Sequence, residues 1–347
     1  MRGIAMKVAD KVLPGTKIKG KWHQNEYTVI KSLGKGANGA VYLVQRSSGL
    51  AALKLSDNSM SITSEVNVLK HFSKVQGKSL GPHLFDTDDW DQGGGSPVPS
   101  FYVMEYIKGV PFLDFVKSRG SEWIPVLLLQ LLGSLSNLHE AGWVFGDLKP
   151  ENLLVTDSPV TVKIIDVGGT TAVGRSIKEY TEFFDRGYWG MGSRKADPGY
   201  DLFAAAMIAI NAGCGGRFLK NSEGEKLLFE KIDSVPLLYQ QRSVLRKALK
   251  GQYAKAEEMK NELLQCLAEP ETRRTPAKAK RSRSGQKQTV ATSSAQPKRH
   301  TAKKKPITKR KRNSGGSHSS SGWMDTFIVV SGVFILYALY IYHFLLP

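Results

Sequence analysis

With only two cysteines in 347 residues, Cys214 and Cys266, the chain has no disulfide framework and none of the paired thiols of a structural zinc site. That suits a reducing compartment, where such thiols pack in the interior. The first dozen residues, MRGIAMKVADKV, hold no sustained apolar run, so no secretory signal peptide is expected. No internal repeat is evident. Two further absences are local. Residues 271–322 contain no Phe, Tyr or Trp, and no Asp or Glu occurs from Thr272 to Met324. A segment without aromatics, rich in Lys, Arg, Ser, Thr, Pro, Ala and Gly, cannot bury enough apolar surface to offset its ordering entropy. The missing acids leave 16 Lys and Arg uncompensated there, whereas elsewhere 33 basic residues face 31 acidic ones. The net charge of +18 therefore belongs to one segment and not to the globular part.

The C-terminus lacks charge altogether. From Phe327 to Leu346 the sequence FIVVSGVFILYALYIYHFLL has no Asp, Glu, Lys or Arg. A helix of that length spans roughly 30 Å, the thickness of a hydrocarbon core. The run is apolar on every face, unlike an amphipathic core helix, and Trp323, Tyr340 and Tyr342 stand where interfacial aromatics belong. Four regions are expected: an N-terminal extension 1–26, a globular domain 27–270, a disordered basic stalk 271–322 and a transmembrane anchor 323–347. The positive-inside rule puts the globular domain of this single-pass protein on the cytoplasmic face of the cell membrane.

Within the globular part, Tyr27–Ile30, Val41–Val44 and Ala51–Leu55 read as strands, and Ile62–Phe72 has helical spacing. GGGSP at 93–97 is a turn before the strand FYVMEY at 101–106. After Gly109 the pattern turns helical, with long runs at Trp123–Gly142 and Asp201–Ala212 and a basic amphipathic one at Ser243–Leu267. An α+β architecture is expected, with a small β-rich lobe ahead of a larger helical one.

Glycines punctuate the turn LGKGANGAV, residues Leu33, Gly34, Lys35, Gly36, Ala37, Asn38, Gly39, Ala40 and Val41. Backbone amides there can approach phosphate oxygens with no side chain between. A dinucleotide fold carries similar glycines but needs a helix directly after them, whereas VYLV is a strand, which favours a lid over ATP. Lys54, isolated in the apolar strand ALKL, needs a partner if buried, and Glu65 on the next helix is the natural one; a lysine on a solvated edge strand is the plainer alternative. In DLKPEN, Asp147 can accept a proton from an attacking hydroxyl, Lys149 can neutralise a phosphoryl group and Asn152 can bind a metal. Asp166, after the apolar pair Ile164-Ile165, can hold Mg²⁺ at a strand end. Phosphoryl transfer needs such a set because its catalysis is mostly positioning and charge neutralisation.

In order and spacing these motifs resemble those of the Hanks-type protein kinases, the eukaryotic-like family also found in bacteria. The resemblance implies a bilobal kinase fold, ATP with Mg²⁺ or Mn²⁺ as cofactors, and protein substrates. It makes residues 33–41 the nucleotide loop, Lys54 and Glu65 an activating ion pair, and Glu105–Ile107 the adenine-binding hinge behind Met104. Asp147 becomes the base, Lys149 the phosphate ligand, Asn152 and Asp166 the metal ligands, and Asp201 the anchor of the catalytic loop. Lysine two positions after the base is typical of the Ser/Thr branch. A kinase domain joined by a basic stalk to a C-terminal anchor is further similar to the tail-anchored bacterial kinases associated with spore formation and with DNA.

Three departures stand out. Phe145-Gly146 replaces the family's usual His-Arg and removes the arginine that reads a phosphorylated activation loop. Val167 replaces the usual Phe after the metal-binding aspartate, and Arg186-Gly187-Tyr188 replaces Ala-Pro-Glu, which puts the substrate-docking loop in question. Phe-Gly-Asp also resembles the lead-in of small-molecule phosphotransferases, and a non-catalytic scaffold joining DNA to the membrane is a reading from another class. The basic clusters spread over 273–312 lie well before Phe327, with KRKR at 309–312 the nearest, so they suit a polyanion approached from solution more than lipid beside the helix. Without aromatics such a stalk would hold DNA through phosphates, independently of sequence. Bound DNA could gather copies for phosphorylation in trans. Thr170, Thr171, Ser176 and Thr181 are candidate acceptors in the activation segment.

Overall fold

Successive strand side chains point to opposite faces, and the strands between residues 17 and 105 build an antiparallel sheet. The computed structural model describes residues 12–36, 38–72, 81–93 and 98–268. The strands are β1 (Lys17–Lys19), β2 (Glu26–Gly36), β3 (Gly39–Arg46), β4 (Gly49–Ser56), β5 (Leu84–Asp89) and β6 (Ser100–Glu105), in the spatial order β1-β2-β3-β4-β6-β5. The N-terminal extension thus supplies the edge strand β1, which pairs with β2 through Lys17 and Thr28. One face buries Tyr42, Val44, Leu53, Leu55, Phe101 and Val103 in a core of its own. The opposite face carries Ala52, Tyr102 and Met104 toward helix α1 (Ser59–Phe72), whose buried stripe is Ile62, Glu65, Val66, Val68, Leu69 and Phe72. Register pairs Val41 with Lys54 and Lys54 with Tyr102, so the lysine stands on the helix side.

Beyond the sheet the chain becomes helical. A two-residue strand β7 (Val110–Pro111) leads into α2 (Phe112–Arg119) and the long α3 (Trp123–Glu140). Short strands β8 (Trp143–Val144), β9 (Leu153–Asp157), β10 (Val160–Ile164) and β11 (Thr171–Ala172) carry the loops between them. After the short α4 (Arg186–Trp189), helix α5 (Pro198–Gly213) is buried around nearly its whole circumference, the mark of a central helix. It is packed by α3 and by α8 (Arg242–Leu249) and α9 (Ala256–Ala268), with α6 (Gly224–Ser234) and α7 (Pro236–Gln240) alongside. Its first turn carries Asp201, so the most rigid element of this lobe presents a carboxylate to the loop after β8.

Most of the expected strands and helices appear within a few residues of their expected ends, with two corrections. β2 runs six residues past Ile30 to Gly36, so the strand enters the expected glycine turn. The basic run 243–267 is two helices and not one, because the chain turns at Gly251, whose φ of +65° an α-helix cannot carry. Ala37, the stalk and the anchor lie outside the described residues, as do 73–80 and 94–97 of the expected turn. Among the described residues no helix is long and apolar enough to cross a membrane.

Candidate active site

The glycine turn is the tip of the β2–β3 hairpin, with Gly34 opposite Val41, Lys35 opposite Ala40 and Gly36 opposite Gly39. Gly39 has φ +132°, and a Cβ there would lie 2.3 Å from the Leu55 carbonyl oxygen, so only glycine lets β3 leave the tip against β4. Gly34 and Gly36 differ: a side chain on either would meet open space or barely touch the hairpin. Their lack of one serves no internal packing and leaves the backbone bare to whatever approaches from outside. Leu33 is partly exposed beside them. Asn38 at the tip donates to Glu179 Oε1 (2.6 Å), tying the hairpin to the segment that follows Asp166.

Behind the hairpin, Lys54 is buried and its Nζ lies 2.6 Å from Glu65 Oε2 and 3.5 Å from Asp166 Oδ1. Glu65 is held in turn by the Tyr102 hydroxyl (2.8 Å) and the Ser61 hydroxyl (3.2 Å). Burial opposes the charge on Lys54, but the Asp166 and Glu65 carboxylates outweigh it and hold the ammonium above its ordinary pKa. Burial, then the same two carboxylates, raise the Tyr102 hydroxyl well above its usual value, so it stays a donor to Glu65. The solvated-edge reading of Lys54 is excluded by this burial. Glu105 closes β6, taking the His83 carbonyl on its N–H (2.8 Å), with Met104 and Ile107 packed on either side.

The loop after β8 is fixed from beneath. Asp201, fully buried, accepts the N–H groups of Phe145 (2.7 Å) and Gly146 (3.0 Å) and lies 2.9 Å from His139 Nε2. Phe145 fills an apolar slot and is itself fully buried, as is nearly all of Val167. Gly146 has φ +85°, and a Cβ on it would come within 2.6 Å of the Gly169 carbonyl oxygen. The turn it makes places Asp147 at the open end of the loop. Asn152, in the short turn Pro150–Asn152, donates its Nδ2 to the Asp147 carbonyl (2.9 Å), which leaves its amide oxygen as a hard donor. Asp166 takes Gly168 N on Oδ1 (3.0 Å); among the described residues its Oδ2 has no hydrogen-bond partner. An aspartate and an asparagine oxygen fit a small hard cation that draws its remaining ligands from substrate phosphates. Lys149 contacts Asp147 Oδ2, and the Thr181 hydroxyl bridges the pair, 3.0 Å from Asp147 Oδ1 and 3.2 Å from Lys149 Nζ.

Thr181 is a residue the sequence marked only as a phosphate acceptor; nothing local told that its hydroxyl would sit in the site. Asp185 was missed as well. It is fully buried, caps α4 through Gly187 N and Tyr188 N, and accepts from Arg194 (2.6 Å) and the Tyr200 hydroxyl (2.9 Å). Burial works against its charge, but Arg194, Tyr200 and the two amides together hold its carboxyl below the ordinary range. Arg186 spans to Asp197 (2.6 Å) and to the carbonyls of Ser193 and Lys195. The segment with the unusual Arg-Gly-Tyr is thus tied by two ion pairs to the stretch 194–197 that leads into α5.

Comparison with known proteins agrees with this geometry. The family described as protein kinase domain matches residues 27–283. The chain belongs to the protein kinase family. Serine/threonine-protein kinase YabT of Bacillus subtilis (strain 168) is 49% identical to it over 338 residues, 96% of each chain. Serine/threonine-protein kinase mig-15 of Caenorhabditis elegans is 27% identical over 174 residues, 47% of this chain and 16% of that one. The kinase domain of Mycobacterium tuberculosis PknI has the same fold, with a TM-score of 0.52 at 20% identity over 74% of this chain and 99% of that domain. The kinase is accordingly a Ser/Thr protein kinase, which uses ATP and a divalent metal ion to phosphorylate proteins. The small-molecule phosphotransferase and inert-scaffold readings fall away.

Proposed function

We propose that this Ser/Thr kinase works with Asp147 as the base and Lys149 as the phosphate ligand, and that it acts in the cytoplasm from a membrane tether. The observation that carries the catalytic part is the convergence of Lys54, Glu65 and Asp166 on one ion network beside the Asp147–Lys149–Thr181 cluster. Lys54, held charged by its two carboxylates, orients the phosphates of ATP under the bare hairpin, and Glu105 to Ile107 line the adenine end. Asp147 Oδ1, which now accepts the Thr181 hydroxyl, is placed to accept a substrate hydroxyl in the same way. Asn152 and Asp166 would hold Mg²⁺ or Mn²⁺, which supplies charge neutralisation at the phosphates.

The tether and the stalk supply the regulatory part. The similarity to YabT covers 96% of this chain and so runs well past residue 283, where the kinase domain match stops. The uncharged run 327–346 supports a membrane anchor, and the 16 basic residues before it support binding to DNA phosphates. With glycine at position 146, the usual reader of activation-loop phosphate is missing, so control passes to the stalk. DNA holding several stalks raises the local kinase concentration and favours phosphorylation in trans, of the kinase itself and of proteins on the same DNA, those of spore formation among them. The test is the rate of autophosphorylation of the full chain against DNA concentration. A rise, then a fall at large DNA excess as copies are diluted along it, is expected. A flat response would reduce the stalk to a topology signal.

A further inference from the structure

The β2–β3 hairpin is touched near its tip by a residue far along the chain. From Ile30 to Gly36 every residue of β2 is exposed, so no core underlies that part of the hairpin. A strand pair with glycines at its end and little buried beneath it bends readily. Its height above the cleft is then set by what the tip touches. The Asn38 side-chain amide donates to Glu179 Oε1 at 2.6 Å across 141 positions of sequence. A carboxylate acceptor makes this a charge-assisted bond.

The two ends of that bond differ in firmness. Glu179 is exposed, but the chain on both sides of it is anchored. Ser176 forms a bridge with Lys195, and the buried Ile177 donates its N–H to the Arg194 carbonyl (2.9 Å). The Arg194 guanidinium lies over the Tyr180 ring (4.1 Å) and bonds the buried Asp185 (2.6 Å). Thr181 is fixed by Asp147 (3.0 Å) and Lys149 (3.2 Å). Glu179 is therefore the post, and the hairpin is the part that moves to meet it.

We infer that Glu179 is a positioning residue for the nucleotide: through Asn38 it draws the hairpin down over the phosphates and sets how long ATP and ADP stay bound. That role rests on residues 33–41 being the phosphate loop of an ATP site. Glu179 takes no part in the transfer itself. Because one bond joins the hairpin to the activation segment, its effect runs in both directions. Nucleotide under the hairpin holds Asn38 against Glu179, and displacement of the segment around Glu179 loosens the hairpin and releases nucleotide. The segment that meets the protein substrate is in this way coupled to the residence time of ATP.

The experiment follows release of a fluorescent ADP analogue from the full-length kinase, with Mg²⁺ present, on mixing with excess unlabelled ATP. Glu179→Ala and Asn38→Ala should each speed release and raise KM for ATP by about two- to tenfold, the scale of one hydrogen bond at the surface. Both changes fall outside the core, so the urea midpoint should stay where it is. The double variant should be no worse than either single one, since each removes the same bond. Asn38→Lys can pair with the Glu179 carboxylate and should hold nucleotide as the unmodified chain does, but not when combined with Glu179→Ala. Additive effects of the two alanines would overturn the inference, because Asn38 would then act on the phosphates alone. Unchanged release from Glu179→Ala would overturn it as well. If the unmodified kinase binds no nucleotide at all, the phosphate-loop reading fails first and takes the role of Glu179 with it.

Discussion

At the scale of single residues, the chemistry rests on charges placed where only one outcome is comfortable. Lys54 is buried against Glu65 and within reach of the half-exposed Asp166, so Lys54→Ala removes the cation proposed to face the ATP phosphates and leaves the two carboxylates to repel each other. Phosphotransfer should fall by at least about 10²-fold, with circular dichroism unchanged. If Asp147 and Lys149 act as proposed, Thr181 is a positioning residue: Thr181→Val should lower kcat by about tenfold with little change in KM for ATP, and Thr181→Ser should restore it. If Ser and Val behave alike, the hydroxyl has no role. Gly146 is constrained more simply. Gly146→Ala strains a left-handed turn and drives a Cβ against the Gly169 carbonyl oxygen, which should cost about 1–3 kcal/mol in chemical denaturation and disturb Asp147 next to it. The loop carries glycine there because its own turn demands it.

At the scale of elements, helix α5 and the segment before it decide whether these residues meet. Asp201 on α5 takes two amides of the catalytic loop, and Asp185 ties α4 to Arg194 and Tyr200. Asp185→Ala leaves a buried tyrosine hydroxyl and two capped amides without acceptors and Arg194 without its anion; a loss of about 2–4 kcal/mol in urea unfolding is expected. The pH dependence follows from the sign. The native Asp185 pKa lies below the ordinary aspartate value of about 3.9, so its contribution is present above that value and is lost as pH falls through the native pKa. The variant should therefore show a weaker dependence of stability on pH at the acid end. This part of the site was the least legible in the sequence. The glycine turn, Lys54, Glu65, Asp147, Asn152 and Asp166 announce themselves because their chemistry sets residue type and spacing. Asp185, Arg194 and Tyr200 meet only through the path of the activation segment, and the run 243–267 hides a break that one glycine's backbone angle decides.

At the scale of the whole molecule, the proposed DNA-binding stalk and membrane tether follow the kinase domain in residues 271–347. Removal of residues 323–347 should move the protein from membrane to soluble fractions; recovery of the shortened chain in carbonate-washed membranes would remove the tether from the account. If 6–10 DNA phosphates are contacted, affinity should drop by roughly 10³–10⁵ between about 50 and 200 mM salt, whatever the DNA sequence. All of this presupposes that a catalytic loop led by Phe-Gly works. The direct test is transfer of labelled γ-phosphate from ATP, with a divalent metal, by the full chain and by Asp147→Asn. The account predicts label on Ser or Thr with the unmodified chain and a fall of about 10²–10⁴-fold with Asp147→Asn, which keeps the shape of the side chain and removes the base. Near-normal turnover by Asp147→Asn would contradict it.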